Sequence, residues 1–453
     1  MNQSALQNAL SSLPENAPES MVNQFFMPVL LEALGFAADE YVPEYRTGRG
    51  SDKVDFAARK NTTEDRFLSN PVAPFLIVET KARTIKFTQL QRYQTTVEQL
   101  KRYLSHDAKK CRSVSWGIIT NADSIQLFRK HDKVIYPLTK LIQLNEANID
   151  EKIAQIKGYI DRTSKALSIT VYNNKGGVGK TTTAINLAAT LSLLKKQVLV
   201  VDFDPDQGDL SNNLGVKVGW ERMYDCLEDY RNRNIVNAIV KYQKALKSGA
   251  IFGFDVIPAD DKFLSFQEQE LTARVTRGRL RQVLHVLRDR YDYIIIDCPT
   301  NWKLYSQESV MAADVILMPT QHNNLASLEN AGKAISSFCP DAGDRKRNIW
   351  SPDLEDPTLL PIFYNGGTMT EAQKRQAEKA ITQIIEKNRE ERGVDLLPYF
   401  FPKYKPATKN MDIFMVKNHA SISSAAFHHK PGIYVHKDVR ESYKNLVREY
   451  FIQ

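Results

Sequence analysis

The chain has 453 residues, 42% of them hydrophobic and 25% charged, with a formal net charge of +8. That length implies two or three domains, and the composition excludes a chain disordered throughout. The positive excess suits a polyanionic partner, and Cys111, Cys226, Cys298 and Cys339, far apart with no C-x-x-C pair, fit reduced thiols better than disulfides or a zinc knuckle. The N-terminus is polar and no apolar run approaches the roughly 20 residues of a membrane span. A cytoplasmic protein without membrane attachment is expected.

In chain order, Val22, Phe25, Phe26, Val29, Leu30 and Ala33 fall on one face of a helix, with Pro28 as a kink and Gly35 as C-cap. A polar turn over 46–51 leads to a short strand, Lys53–Ala58, holding Asp55. Pro74–Lys81 reads as a buried strand ending Glu79-Thr80-Lys81. Phosphodiester hydrolysis calls for carboxylates converging on a divalent cation, which binds the phosphate and lowers the pKa of the attacking water. Asp55 and Glu79 on neighbouring strands suit such an ion. Lys81 falls on the same strand face as Glu79, where an ammonium would position the water or stabilise charge developing at phosphorus. Lys53, Arg59, Lys60, Lys81, Arg83 and Lys86 surround the motif as candidate phosphate contacts. Trp116–Thr120 and Ile125–Phe128 read as a strand pair about the turn Asn121-Ala122-Asp123. Ile153, Ile156 and Ile160 mark a helix taken as a connection.

The succession Leu34-Gly35-Phe36, Val54-Asp55-Phe56, Ile77-Val78-Glu79-Thr80-Lys81 and a helical Gln99-Leu100-Lys101-Arg102-Tyr103 resembles the N-terminal nuclease domain of type I restriction enzyme motor subunits, within the PD-(D/E)xK superfamily. The resemblance covers the first third of the chain. It implies that Asp55 and Glu79 hold the metal, that Lys81 assists, and that Gln99 and Tyr103 support the DNA-binding face. It also implies an acid on the first helix, either Glu19 or Glu32. A degenerate DNA-binding version of the domain is the alternative.

From residue 168 a strand, Ile169–Tyr172, enters Lys175-Gly176-Gly177-Val178-Gly179-Lys180-Thr181-Thr182, and Thr181–Leu194 leaves it as a helix. The glycines let backbone N–H groups face phosphate oxygens, and the helix N-terminus adds positive potential. Lys180 would reach the outer phosphates, and the Thr181 hydroxyl would ligate magnesium. Asn174 replaces the first glycine of the ordinary loop, and Lys175 stands before Gly176. This K-G-G-x-G-K-[ST] form resembles the ParA/MinD family of P-loop ATPases. The resemblance implies ATP and Mg2+ as cofactors, and a sandwich homodimer in which Lys175 reaches the partner's ATP. The strand Gln197–Asp202 runs on to Asp204-Pro205, and the family role of an acid that orients water or magnesium falls to Asp204. A one-residue insertion leaves the roles of Gln207 and Asp209 in doubt. Tyr293–Asp297 reads as a Walker B strand, with Asp297 supporting magnesium through water. Ala312–Pro319 and Leu359–Tyr364 read as further strands, with Asn365 as a contact to the base.

Residues 371–393 form a charged helix readable as a solvated face, and 221–249 carries no usable pattern. The tail sets Lys403, Lys405, Lys409, Lys417, Lys430 and Lys437 among aromatics and is the candidate DNA surface of the ATPase. The expected architecture is α/β throughout. A restriction-endonuclease-like α/β domain over 1–155 and a linker over 156–167 precede a P-loop NTPase domain over 168–453, its mostly parallel sheet flanked by helices. The function expected is an ATP-driven dimer controlling metal-dependent DNA cleavage, in restriction or phage defence, with an adaptor or activating protein. The alternative is a partition or cargo-positioning ATPase whose first domain clamps DNA or a partner without cutting. A weaker third is a regulator that reads ATP state.

Overall fold

A computed structural model describes residues 3–245, 249–417 and 420–452. The chain divides into two compact units, Met1–Thr163 with Pro352–Glu355 and Phe451–Gln453, and Ser164–Ser351 with Asp356–Tyr450.

Among the described residues the first unit builds one sheet from β1 (Tyr41–Arg46), β2 (Lys53–Ala58), β3 (Leu76–Thr80), β4 (Trp116–Thr120), β5 (Ser124–His131), β6 (Val134–Pro137) and β7 (Ile142–Gln143). They lie in the order β1-β2-β3-β4-β5-β6, with β7 against β5. Only β3 and β4 run parallel, and the helix Leu90–Leu104 makes that crossover. It packs Leu100, Tyr103 and Leu104 with Ile77, Ile119 and Phe128 on one sheet face. Ala5–Ser11, Glu19–Ala33 and Ile149–Asp161 cover the other, around Phe56, Val78 and Ile118. Inward alternation fails at Asp55: Val54 and Phe56 are both buried, in different clusters, opposite Glu44 with its φ of +49°. A break of this kind frees one side chain from the pleat.

Two expectations need correction here. The first helix is not one uniform face, because Val22–Phe26 forms a π-turn ahead of Pro28. Pro28 has no N–H and its ring crowds the preceding turn, so the backbone widens there. The phase shift buries Met27 and leaves Phe25 49% exposed. Nor is all of 156–167 a connection, since the helix runs to Asp161. Ile149, Ile153, Ile156 and Ile160 are buried in the first unit's core, and Leu167 already begins the next sheet. Four isoleucines at helical spacing bury more apolar surface than a solvated connection tolerates.

The second unit adds β8 (Leu167–Val171), β9 (Val198–Asp202), β10 (Val240–Ala245), β11 (Ile251–Ile257), β12 (Tyr293–Asp297), β13 (Val315–Leu317), β14 (Pro319–Thr320), β15 (Thr358–Leu359), β16 (Phe363–Gly366) and β17 (Met415–Lys417). The main sheet runs β10-β11-β9-β12-β8-β13-β15, parallel except for the β10–β11 hairpin. β8, β9 and β12 are buried along their whole length, which explains their unbroken runs of Val, Leu and Ile. β14, β16 and β17 form a separate parallel sheet. The two strands expected near 312–319 and 359–364 each split between the sheets. Pro319 starts β14 and Pro361 separates β15 from β16, since neither can donate to a ladder. The helix Glu371–Arg392 is more than a solvated face: it buries Ala377, Ile381, Ile384 and Ile385 under a Thr370/Gln373 capping box. Among the described residues no helix is long and apolar enough to cross a membrane.

Candidate functional site

In the second unit β8 and β9 flank β12, so Val171, Asp297 and Asp202 stand side by side at the carboxyl edge. Parallel strands send all these ends to one side, where the loop after β8 crosses. Gly177 and Gly179 take φ of 77° and 86°, and Gly179 is the N-cap of the helix Lys180–Leu193. Lys180 is buried, and desolvation lowers its pKa against the opposing pull of Cys298, Asp297 and Asp204. Asp297 is raised to about 8 by burial and then by the neighbouring Asp202, opposed by a hydrogen bond with Thr181 and by Lys180. Its Oδ1 is buried without a hydrogen-bond partner. An orphaned carboxylate oxygen beside a hydroxyl and a second acid, Asp204, is an all-oxygen donor set of the kind Mg2+ takes. Asp204 is half-buried; burial raises its pKa, while the Gln207 N–H at 3.3 Å opposes the rise. Gln207 and Asp209 are exposed.

Two residues that sequence reasoning missed complete this edge. Asp202 Oδ2 accepts from the Ser211 N–H at 2.9 Å and the Ser211 hydroxyl at 2.6 Å, tying the helix Asp209–Leu214 to the sheet. Burial raises its pKa to about 6. An apolar run ending in Asp, the pattern that singled out Asp297, also marks Asp202. Gln321, just past β14, donates through Nε2 to the Gly177 carbonyl at 2.8 Å. Asn365, on β16, donates through Nδ2 to the Val178 carbonyl at 3.1 Å. Consecutive loop carbonyls are thus braced by two amides from the small sheet. Lys175 lies partly exposed at the start of the loop.

In the first unit, the β2–β3 register (Phe56 opposite Val78) brings Asp55 beside Glu79. Asp55 Oδ2 accepts the Thr80 N–H at 2.7 Å. Glu79 is 2% exposed, and burial, then Asp55, push its pKa to about 7 against the pull of Lys81. Lys81 bonds Glu79 and the Thr80 carbonyl and stands 3.8 Å from Glu19. Burial would lower the Lys81 pKa, but Glu79 and Glu19 reverse the effect and raise it. Of the two first-helix acids the structure brings Glu19 to the cluster; Glu32 is exposed. Among the described residues no three His, Cys, Asp or Glu side chains gather tightly enough to hold an ion. Gln99 Nε2 donates to the Tyr103 hydroxyl at 2.9 Å, and Tyr103 is buried.

The expected phosphate contacts are otherwise engaged. Lys53 pairs with Glu44, Arg59 with Asp65, Lys60 with Glu40, Lys81 with Glu79, and both Arg83 and Lys86 with Asp123. In the tail Lys403 stands 3.6 Å from Glu449, while Lys405 and Lys409 are exposed on an irregular stretch.

A parallel sheet whose carboxyl edge carries a glycine loop, a buried lysine and strand-end carboxylates defines a P-loop nucleotide-binding fold. Residues 166–337 match the family described as an AAA domain, and residues 18–142 match the type I restriction enzyme R protein N terminus. The sporulation initiation inhibitor protein Soj of Bacillus subtilis (strain 168) is 39% identical over 156 residues, covering 34% of this chain and 57% of Soj. The chromosome partitioning protein ParA of Caulobacter vibrioides (strain NA1000 / CB15N) is 39% identical over 202 residues, 44% of this chain and 69% of that protein. The ATP complex of McdA from Cyanothece covers 63% of this chain and 96% of its own, at 18% identity and a TM-score of 0.46. The chain belongs to the ParA/MinD-like family of P-loop ATPases and carries ahead of that domain one of the restriction-enzyme R-protein N-terminal family.

Proposed function

We propose that the second unit binds and hydrolyses ATP with Mg2+ as a dimerising switch, and that the first unit is a metal-dependent DNA nuclease under its control. The ATPase reading is supported by the loop, the buried Lys180 and the orphaned Asp297 oxygen. Bound Mg2+ would supply charge neutralisation of the outer phosphates. Thr181, Asp204 and Asp297 would hold it, Lys180 would reach the outer phosphates, and Asp204 would orient the attacking water. Lys175 would reach the nucleotide of a second copy.

One observation carries the nuclease reading: a buried Glu79 is held between Lys81 and Asp55 where β3 ends beside the start of β2. A divalent ion there would supply a Lewis acid and a nucleophilic water. Asp55 and Glu79 would hold it, Lys81 would place its ammonium beside the reacting phosphate, and Gln99 and Tyr103 would support the DNA face. Restriction or phage defence, and an adaptor that stimulates hydrolysis, follow as the setting. The second reading is a partition or positioning ATPase with a non-cleaving clamp. It draws on the tie of Lys81 to Glu79 and on the absence of a tight three-acid cluster among the described residues.

The test is plasmid cleavage in magnesium or manganese without nucleotide, with ADP, with ATP and with a slowly hydrolysed analogue. Nicking lost in Asp55→Ala and altered in Lys180→Ala is the expected result. No cleavage under any condition, with ATP-dependent DNA binding retained in Asp55→Ala, refutes the nuclease and leaves the positioning ATPase.

A further inference from the structure

The cations that sequence reasoning assigned to DNA in the first unit are neutralised inside the protein, and a different set is not. Arg46 ends β1 and Arg49 lies in the β1–β2 turn, and the segment after the helix Leu90–Leu104 carries Lys109, Lys110 and Arg112. Arg49 is partly exposed and the other four are exposed. None of the five has a carboxylate partner among the described residues, whereas Asp52 of the same turn is neutralised by Arg102 at 3.2 Å. Asp107 is the acid left in the second segment.

The two segments interlock. The Lys110 N–H donates to the Thr47 carbonyl at 2.9 Å, and the Tyr45 hydroxyl donates to the Lys110 carbonyl at 3.4 Å. Gly48, at φ +80°, lies so close that a Cβ there would meet the Lys110 backbone nitrogen at 3.1 Å. The backbones of the two segments that carry the five cations are therefore tied together at Thr47, Gly48 and Lys110 instead of running as independent loops. β2 begins directly after this turn with Lys53, and Asp55 lies two residues along it.

We propose that Arg46, Arg49, Lys109, Lys110 and Arg112 form the track that holds the nucleic-acid backbone beside the Asp55/Glu79 cluster. The assignment rests on the nuclease reading for what happens next to the track, but not for the binding itself. An ion pair already formed inside the protein adds little on meeting a phosphate, because its charge is already compensated. Uncompensated cations release counterions from the DNA, and each phosphate contact steepens the salt dependence of binding by about 0.9.

The experiment uses the full chain without nucleotide and a labelled duplex, followed by fluorescence anisotropy from about 50 to about 200 mM salt. Replacing Arg49, Lys109 and Lys110 by Gln should shallow the log–log salt slope by about 2.7, three contacts at about 0.9 each. Affinity at the upper salt concentration should fall more than tenfold, and plasmid cleavage should fall with it. Lys109→Arg/Lys110→Arg, which keeps the charge, should bind as the parent does. Lys53→Gln/Lys60→Gln, which removes internally paired cations, should leave the slope unchanged. An unchanged slope in the Arg49/Lys109/Lys110 variant, or a loss confined to Lys403→Gln/Lys405→Gln/Lys409→Gln, overturns the track. Asp55→Ala separates the two claims: if the parent cleaves and Asp55→Ala binds with the full slope but does not cleave, the nuclease reading stands whatever the track variant does. If it cleaves as the parent does, that reading falls and the slope still decides the track.

Discussion

Gly179→Ala isolates what the phosphate-binding loop demands of its backbone. Gly179 has φ +86°, where a Cβ collides with its own peptide, at roughly 1–2 kcal/mol. An added Cβ would also lie 2.0 Å from Asn365 Nδ2, so the amide must leave. Its hydrogen bond to the Val178 carbonyl goes with it, worth about 1 kcal/mol. The loop relaxes, and nucleotide must pull it back at a total cost of about 2–3 kcal/mol. That is roughly a 30- to 150-fold rise in Kd. Neighbouring glycines supply the controls. Gly177, at φ +77°, meets nothing within 4 Å, so Gly177→Ala should carry the strain alone. Gly176 has no positive φ and its nearest neighbour is the Thr300 methyl at 3.9 Å, so Gly176→Ala should be close to neutral. Gly179→Ala/Asn365→Gly should bind as weakly as Gly179→Ala, because the hydrogen bond to the Val178 carbonyl is lost in both and the strain stays. Titration with a fluorescent ATP analogue, checked by thermal melting, reads all four. Equal affinity for the Gly176 and Gly179 variants, or a Gly179 variant within about threefold of the parent, would refute the reasoning.

Lys175→Ala should still bind nucleotide as a monomer but fail to dimerise with a slowly hydrolysed analogue, as read by light scattering. Asp314 pairs with Arg288 at 2.5 Å in the core, so Asp314→Ala should cost about 3–5 kcal/mol in urea unfolding. Asp314 is buried, yet Arg288 and Arg281 hold its carboxyl well down, at about 2. The folded pKa lies below the ordinary 3.8, so the pair's contribution is full above that value and is lost as pH falls through about 2. Asp314→Asn should flatten that part of the acid-unfolding curve. Ile156→Ala should lower the stability of the first unit by about 2–5 kcal/mol, a loss that a solvated linker residue would not show.

The sequence alone determined the elements whose chemistry is local. The strand, glycine loop and helix from Ile169 to Leu194 were legible because glycine, lysine and threonine must follow one another for backbone amides to face a phosphate. Asp297 was legible because a buried parallel strand reads as an unbroken apolar run to its last residue. Asp55, Glu79 and Lys81 were legible as a spacing, and the strand register does bring the two acids together.

Partnership, by contrast, was decided only by the tertiary structure. Glu19 and Glu32 look alike on paper, but the entry of the first helix brings one to Lys81 and leaves the other in solvent. Gln321 carries no local signal, because its role depends on a strand break at Pro319 that turns the chain towards the P-loop. The lysines and arginines around Glu79 looked free until each met its carboxylate, from as close as two residues away to as far as forty. Charge is written in the sequence, but whether it is already compensated depends on which distant segments fold against it. The same reason moved the domain boundary: Ile153, Ile156 and Ile160 show helical spacing, and only packing shows which core they fill.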